Sequence, residues 1–344
     1  MQTKTLEIDS FLKQCKKQNG IFLDTRSTGE YTKAHIPGAF SLPLLDDEHR
    51  AIVGTIYKQK GREAAVLKGF ELVGPLFHEK ISKAIELAQG REIFVYCWRG
   101  GMRSNIMSWL LQMSGLKTTL LKGGYKSFRH WVLNQFEIPR KLVVLGGRTG
   151  SGKTEMLKNL QLVGEQVIDL ESIANHRGSA FGHLGLGRQP SQEYFENMLA
   201  IALEQIDPNE NLWLENESRT IGGIRLPNTI YDAIRSTTVV EMNVPLEVRQ
   251  QRIWDEYGVF PTADLIDRTN QITRKLGGQH AKAGIEALEQ GDHMTWLKIL
   301  LVYYDKNYQH GNETKDAGKI LPVSIDWTDP DVEVRKVLNA LPGI

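Results

Sequence analysis

The stretch Lys141 to Thr154, KLVVLGGRTGSGKT, leaves this chain few ways to fold. Lys141 to Leu145 is an apolar run rich in Val and Leu, which reads as a strand buried on both faces. Gly147-Arg148-Thr149-Gly150-Ser151-Gly152-Lys153-Thr154 matches the pattern G-x-x-x-x-G-K-[ST], and helical spacing begins at about Gly152. A buried strand, a glycine turn and a helix in immediate succession form half of a βαβ unit, so a parallel sheet is expected around them. The chemistry follows from the same geometry. Amide groups of the turn converge at the start of a helix and cradle phosphate oxygens, Lys153 reaches the terminal pair, and the Thr154 hydroxyl is placed to hold Mg2+. This is a phosphate loop (P-loop).

The first half of the chain has the same grammar. Ile21–Asp24 (IFLD), Glu92–Tyr96 (EIFVY) and Thr118–Leu121 (TTLL) read as buried strands, and Gly74–Ala88 and Ser104–Met113 read as helices. In the second half Gln166–Leu170, Asn211–Glu215 and Thr238–Met242 are strand candidates. Ser191–Ile206 and Pro245–Tyr257 are helix candidates, and Thr262–Gln309 looks all-helical. The expected fold class is α/β, with two domains meeting near FEIPRK. Residues 1–137 form a parallel-sheet domain, and residues 138–344 form a P-loop α/β domain with a helical insertion at about 245–310.

Composition narrows the class. The 42 Lys and Arg against 41 Asp and Glu leave almost no net field, so any basic surface for nucleic acid must be local. No apolar run approaches the roughly 20 residues that span a bilayer, and the N-terminus reads without a signal peptide, so no membrane association is expected. The two cysteines, Cys15 and Cys97, exclude a disulfide framework and imply a reducing, cytoplasmic setting.

Of the two thiols, Cys97 carries the chemistry. It ends the strand EIFVY and opens Cys97-Trp98-Arg99-Gly100-Gly101-Met102-Arg103-Ser104 ahead of a helix. Gly100 and Gly101 permit a tight curl, the loop amides converge on an anion, and the same field favours thiolate over thiol. Arg103 is positioned to fork onto an oxyanion. A nucleophilic sulfur at the floor of an anion cup serves sulfur transfer and phosphate chemistry equally well. Cys15, in a Lys-rich amphipathic stretch, reads as structural.

In the P-loop half, hydrolysis would need an acid to support a metal and a group to position water. Asp169, Glu215 and Glu217 are candidates, and each reads equally as a strand-end acid facing solvent. Arg219 and Arg225 could bind a phosphate-bearing substrate, while Arg249–Arg252 reads as a helix face rather than a pair of lid arginines. Ala174–Gly182 is polar and basic through Arg177. It and the cluster Arg268, Arg274, Lys275 and Lys282 could track a nucleic acid backbone or be solvated surface.

Leu23-Asp24-Thr25-Arg26-Ser27, Glu30-Tyr31, His35-Ile36-Pro37-Gly38-Ala39 and Leu121-Lys122-Gly123-Gly124-Tyr125 resemble the signatures of rhodanese domains, whose cysteine carries a persulfide. Asp24 and Arg26 read as a structural ion pair and His35 as loop packing. The usual rhodanese loop reaches its arginine after four residues; here five separate Cys97 from Arg103, similar to the dual-specificity phosphatases of the same fold. The larger cup suits a phosphate-sized group. With Val53-Gly54-Thr55-Ile56-Tyr57-Lys58-Gln59, the phosphate loop and Ala174-Asn175-His176-Arg177-Gly178-Ser179, the whole chain resembles the bacterial tRNA 2-selenouridine synthase family. That resemblance implies tRNA carrying 2-thiouridine at the wobble position, selenophosphate as selenium donor, and geranyl diphosphate as the source of an S-geranyl intermediate. The enzyme that makes selenophosphate is then a candidate partner. Three competing expectations remain from the residues: a cysteine phosphatase, a sulfurtransferase, and a binding module gated by a nucleotide.

Overall fold

The structure, a computed structural model, describes residues 3–179, 181–312 and 319–341; Ala180, within the glycine-containing stretch noted above, lies outside them. Two compact units are present. One comprises Met1–Gln135 with Glu196–Ile201, the other Phe136–Phe195 with Ala202–Ile344.

The first unit is built on five parallel strands: β1 (Lys4–Leu6), β2 (Ile21–Asp24), β3 (Phe40–Ser41), β4 (Ile93–Tyr96) and β5 (Thr118–Leu121), in the order β1-β5-β4-β2-β3. Every residue of β4 and β5 is buried, as expected for central strands covered by helices on both faces. Ile21, Leu23, Ile93, Val95 and Leu120 pack there against Met107 and Leu111 of the helix Met102–Met113 and against Ala84 and Ala88 of the helix Phe77–Ala88. The helix expected from Gly74 starts at Phe77, because Gly74-Pro75-Leu76 form a separate tight turn. Between β3 and that turn lies an unanticipated helix, Asp47–Val73, broken at Gly61, whose φ of +85° belongs to the left-handed side that glycine tolerates.

The second unit carries β6 (Lys141–Gly147), β7 (Gln166–Ile168), β8 (Asn211–Glu215), β9 (Thr220–Ile221), β10 (Ile224–Arg225), β11 (Val239–Asn243) and β12 (Ile320–Ser324). β9 and β10 form a small antiparallel ladder; the rest form a parallel sheet in the order β12-β11-β6-β8-β7. The strand expected at Gln166–Leu170 stops at Ile168, since the Asp169 carboxylate accepts from Ser172 N–H (2.7 Å) and caps the short helix Leu170–Ile173. The helical region comprises five helices from Leu246 to Asn312, with its own core around Phe181, Leu265, Trp296 and Leu300. No helix among the described residues is long and apolar enough to cross a membrane.

Candidate active site

In each unit a glycine loop leaves the C-terminal end of a central strand and enters a helix. Around Cys97, the loop curls because Gly100 adopts φ +64° and because the turn Gly123-Gly124 lies directly against it. A Cβ on Gly124 would fall 2.2 Å from the Cys97 carbonyl oxygen and 2.4 Å from the Gly100 nitrogen. Tyr125 N–H and Lys126 N–H donate to the carbonyls of Cys97 (2.8 Å) and Trp98 (3.0 Å), which pins the loop from below. Cys97 is 3% exposed, with its Sγ 3.2 Å from Ser104 Oγ; that hydroxyl also donates to the Gly101 carbonyl (3.1 Å). Trp98, Arg99, Gly101 and Met102 are exposed around this floor.

Arg103 heads the helix as the sequence places it, but its fork holds a carboxylate of the chain itself, with nitrogens 2.6 and 3.3 Å from the Glu30 oxygens. Glu30 also accepts from Ser27 N–H (3.1 Å). Burial pushes the Glu30 carboxyl up, and Arg103, Ser27 and Arg50 more than offset it, so it lies below its ordinary range. Glu30 entered the sequence reading only through a family signature, because its partner is 73 residues away.

Asp24 and Arg26 form the expected structural pair. Arg26 donates to both Asp24 oxygens (2.6–3.0 Å) and to the Ala34 carbonyl (2.6 Å), and its guanidinium lies 3.8 Å from the Tyr125 ring centroid. His35 stacks on Tyr31, with centroids 3.8 Å apart, and Nδ1 meets the Tyr31 carbonyl oxygen, a packing role. Cys15 is buried away from any such loop; burial, then Glu92, pushes its thiol up to about 12.

In the second unit, Gly147, Gly150 and Gly152 have φ values of +155°, +80° and +84°, and Lys153 Nζ donates to the Gly147 carbonyl (3.0 Å). The loop is gripped by the helical region. Arg249, 3% exposed, donates to the Thr149 carbonyl (3.2 Å) and forms a two-pronged pair with Asp305 (2.8 and 2.8 Å), which also lies 3.5 Å from Arg148. Gly147 N–H donates to the Tyr308 hydroxyl (2.7 Å), which donates to Glu241 (2.6 Å). Arg252 pairs with Glu155 and stacks over Trp327 (4.4 Å), whose Nε1 donates to the Ser151 carbonyl (2.9 Å). Arg249 and Arg252 lie on the helix Leu246–Tyr257, as the helix-face reading had it, but that face is turned to the loop and not to solvent. A four-residue window shows charge, but it cannot show that Asp305, 56 residues on, buries one of those charges against the loop.

The acids gather beside Lys153. Glu215 is fully buried at the end of β8; one oxygen accepts from Leu170 N–H (2.8 Å) and the other is buried with no partner. Burial, then Asp169, Glu171 and Glu217, pushes its carboxyl well above the ordinary range, so it is not a solvent-facing acid. Glu171, not anticipated from sequence, is hydrogen-bonded to Glu217; burial and then the Glu217 charge push Glu171 up to about 8, against the pull of Lys153. Glu217 is raised as well, first by burial, with Lys153 pulling it down. Two carboxyls here face each other, and each is raised above its ordinary range.

Among the described residues no three His, Cys, Asp or Glu side chains converge as a metal cage. A Mg2+ ion suits the residues in another way, because it keeps several waters and takes phosphate oxygens. The Thr154 hydroxyl could join its shell, and the unpartnered Glu215 oxygen could accept from its water. Arg177 is engaged elsewhere, with Glu256 (2.5 Å) and the Leu184 carbonyl (2.7 Å). Arg219 donates to Asn228 (2.6 Å) and lies over Tyr231, at the surface.

Comparison with known proteins matches both units. Residues 7–130 fit the model of the rhodanese-like domain, and residues 140–324 fit that of the tRNA 2-selenouridine synthase AAA domain. A protein of Bdellovibrio bacteriovorus named tRNA 2-selenouridine synthase is 35% identical over 90% of this chain and 93% of its own length. Proteins of the same name from Pseudomonas fluorescens (36% identical, 86% of this chain, 89% of theirs) and Shewanella frigidimarina (33%, 87% and 90%) are similar along the same span. A cysteine loop on one parallel sheet and a phosphate loop on another, with family models and relatives matched over nearly the whole length, show that the chain belongs to the tRNA 2-selenouridine synthase family.

Proposed function

We propose that this protein replaces sulfur by selenium in the wobble 2-thiouridine of tRNA, using geranyl diphosphate at the P-loop and selenophosphate at Cys97. The observation that carries the proposal is the pairing in one chain of two anion loops with different chemistry. One has a thiol at its floor; the other has a lysine and a pair of carboxyls raised by burial.

At the P-loop, Gly147, Arg148, Thr149, Gly150, Ser151, Gly152, Lys153 and Thr154 bind the diphosphate. Mg2+, when bound, neutralises charge that develops on the leaving group. The thiouridine sulfur forms a bond to carbon 1 of the geranyl chain as the bond from that carbon to the diphosphate oxygen breaks. S-alkylation costs the base its N3 proton, and the Glu171–Glu217 pair beside Lys153 is the acceptor. The Asp169 charge raises both members of that pair, Glu215 is the buried acid of the same cluster, and Arg177 and Arg219 support the surrounding surface. S-alkylation also makes the sulfur a better leaving group at carbon 2.

At Cys97, the thiolate attacks the phosphorus of selenophosphate. The S–P bond forms, the P–Se bond breaks, and hydrogen selenide anion leaves. This anion attacks carbon 2, its proton passes to N3, and geranyl thiolate departs; water then releases phosphate from the cysteine. Selenium is already fully reduced in selenophosphate, so a selenopersulfide on Cys97 would need an added oxidant, whereas phosphoryl transfer needs none. Arg103, Arg99 and the amides from Trp98 to Met102 hold the phosphate, and Ser104 Oγ, 3.2 Å from the sulfur, keeps it in place at the floor of the loop. The enzyme that produces selenophosphate is the partner expected to supply it.

In the test, Cys97→Ser protein still geranylates 2-thiouridine tRNA and no longer selenates it. Loss of both steps would break the division of labour. The Ser104 contact also favours a second reading, a cysteine phosphatase, which predicts turnover of an aryl phosphate without tRNA.

A further inference from the structure

We propose that the helical arm Asp47–Val73 of the first unit is a docking surface for the phosphate backbone of the tRNA, an inference that rests on the substrate reading above. From His49 to Arg62 the chain carries Arg50, Lys58, Lys60 and Arg62 and no Asp or Glu. Tyr57 to Glu63 are all exposed, and Tyr57 is 58% so. Farther along the arm and on the helix Phe77–Ala88, basic side chains at helical spacing find acids: Lys68 with Glu71 and Lys83 with Glu86. Among the described residues Lys58, Lys60 and Arg62 have no such partner. An ordinary solvated helix interleaves the two signs, whereas an exposed segment of one sign on a nearly neutral protein fits a polyanion. The exposed Tyr57 adds a ring on which a base can stack.

The arm also begins in the right place. Its Asp47 carboxylate accepts from Gly29 N–H (2.8 Å), and Arg50 Nε lies 3.8 Å from the Glu30 oxygen that Arg103 grips at 2.6 Å. The root of the arm therefore touches the same carboxylate as the arginine of the cysteine loop. Lys58 and Lys60 lie about 12–15 Å farther along the helix, at 1.5 Å per residue. Gly61 bends the arm at a point where a Cβ would meet nothing within 4 Å, so packing does not enforce the bend. Backbone held along the arm would bring an unpaired base to the rim of the cup.

The test measures binding of 2-thiouridine tRNA to the full-length protein by anisotropy across a salt series. Replacing Lys58→Ala, Lys60→Ala and Arg62→Ala together is expected to raise Kd about tenfold or more and to flatten the slope of log K against log salt by roughly 2–3. KM for tRNA should rise in parallel. The charge-preserving set Lys58→Arg, Lys60→Arg and Arg62→Lys should retain binding, and so should Lys13→Ala with Lys17→Ala on another surface. Lys58→Glu alone should weaken binding in the same direction. Wild-type affinity and salt slope in the folded triple alanine variant would overturn the proposal. Wild-type protein that binds no tRNA would overturn the substrate reading, and the arm's role with it.

Discussion

Glu171→Gln tests the proton-sharing pair beside Lys153. Burial and the Glu217 charge hold the Glu171 carboxyl at about 8, against an ordinary 4.5. The native state therefore keeps a proton that the unfolded chain releases near pH 4.5. Between about pH 4.5 and 8 the native protein binds more protons, so stability is fully present below that window and falls as pH rises through it. At about 1.4 kcal/mol per pH unit the ceiling on that loss is about 5 kcal/mol. Because Glu217 shares the proton and Lys153 attracts both carboxylates, the expected loss is about 2–3 kcal/mol. Glutamine keeps the shape and a donor toward Glu217 but cannot ionise. Thermal melts should coincide near pH 5. At pH 8.5 the variant's P-loop unit should melt about 5–10 °C higher than the wild type. Curves that stay parallel from pH 5 to 9 would refute the shared proton.

Gly124→Ala drives a Cβ into the Cys97 carbonyl at a φ of +61°, so the first unit should lose about 2–4 kcal/mol in denaturant titration and selenation should fail. Arg26→Met leaves Asp24 buried and unpaired, a cost of about 3–5 kcal/mol readable in the same titration. Cys15, its thiol pushed up to about 12, should resist iodoacetamide at pH 8 until the protein unfolds, and Cys15→Ala should keep activity, both checked by peptide mapping and assay.

Both loops were legible in the sequence because each follows a buried strand and precedes a helix, a purely local pattern. β2, β4, β5, β6, β8 and β11 were legible for the same reason: their apolar runs are continuous. β12 was missed because its Pro322 interrupts a short edge strand, and β3 because two residues carry no period. The helix Asp47–Val73 was missed because it buries only Ala65 and Val73 and so has no apolar stripe to read. At the site, what was lost is what long separation hides. Glu30 meets Arg103 across 73 residues and Asp305 meets Arg249 across 56. Glu171 drew no notice in the sequence, because Glu217, just past the end of β8, meets it only in the fold.

The division of labour between the two loops is tested most directly by mass spectrometry of nucleosides from 2-thiouridine tRNA. Wild type, Cys97→Ser and Lys153→Ala are each incubated with geranyl diphosphate and selenophosphate, together and one at a time. Expected are 2-selenouridine from the wild type with both co-substrates, accumulated S-geranyl-2-thiouridine from Cys97→Ser, and unchanged 2-thiouridine from Lys153→Ala. Geranyl transfer by Lys153→Ala at the wild-type rate, or selenation by Cys97→Ser, would contradict it.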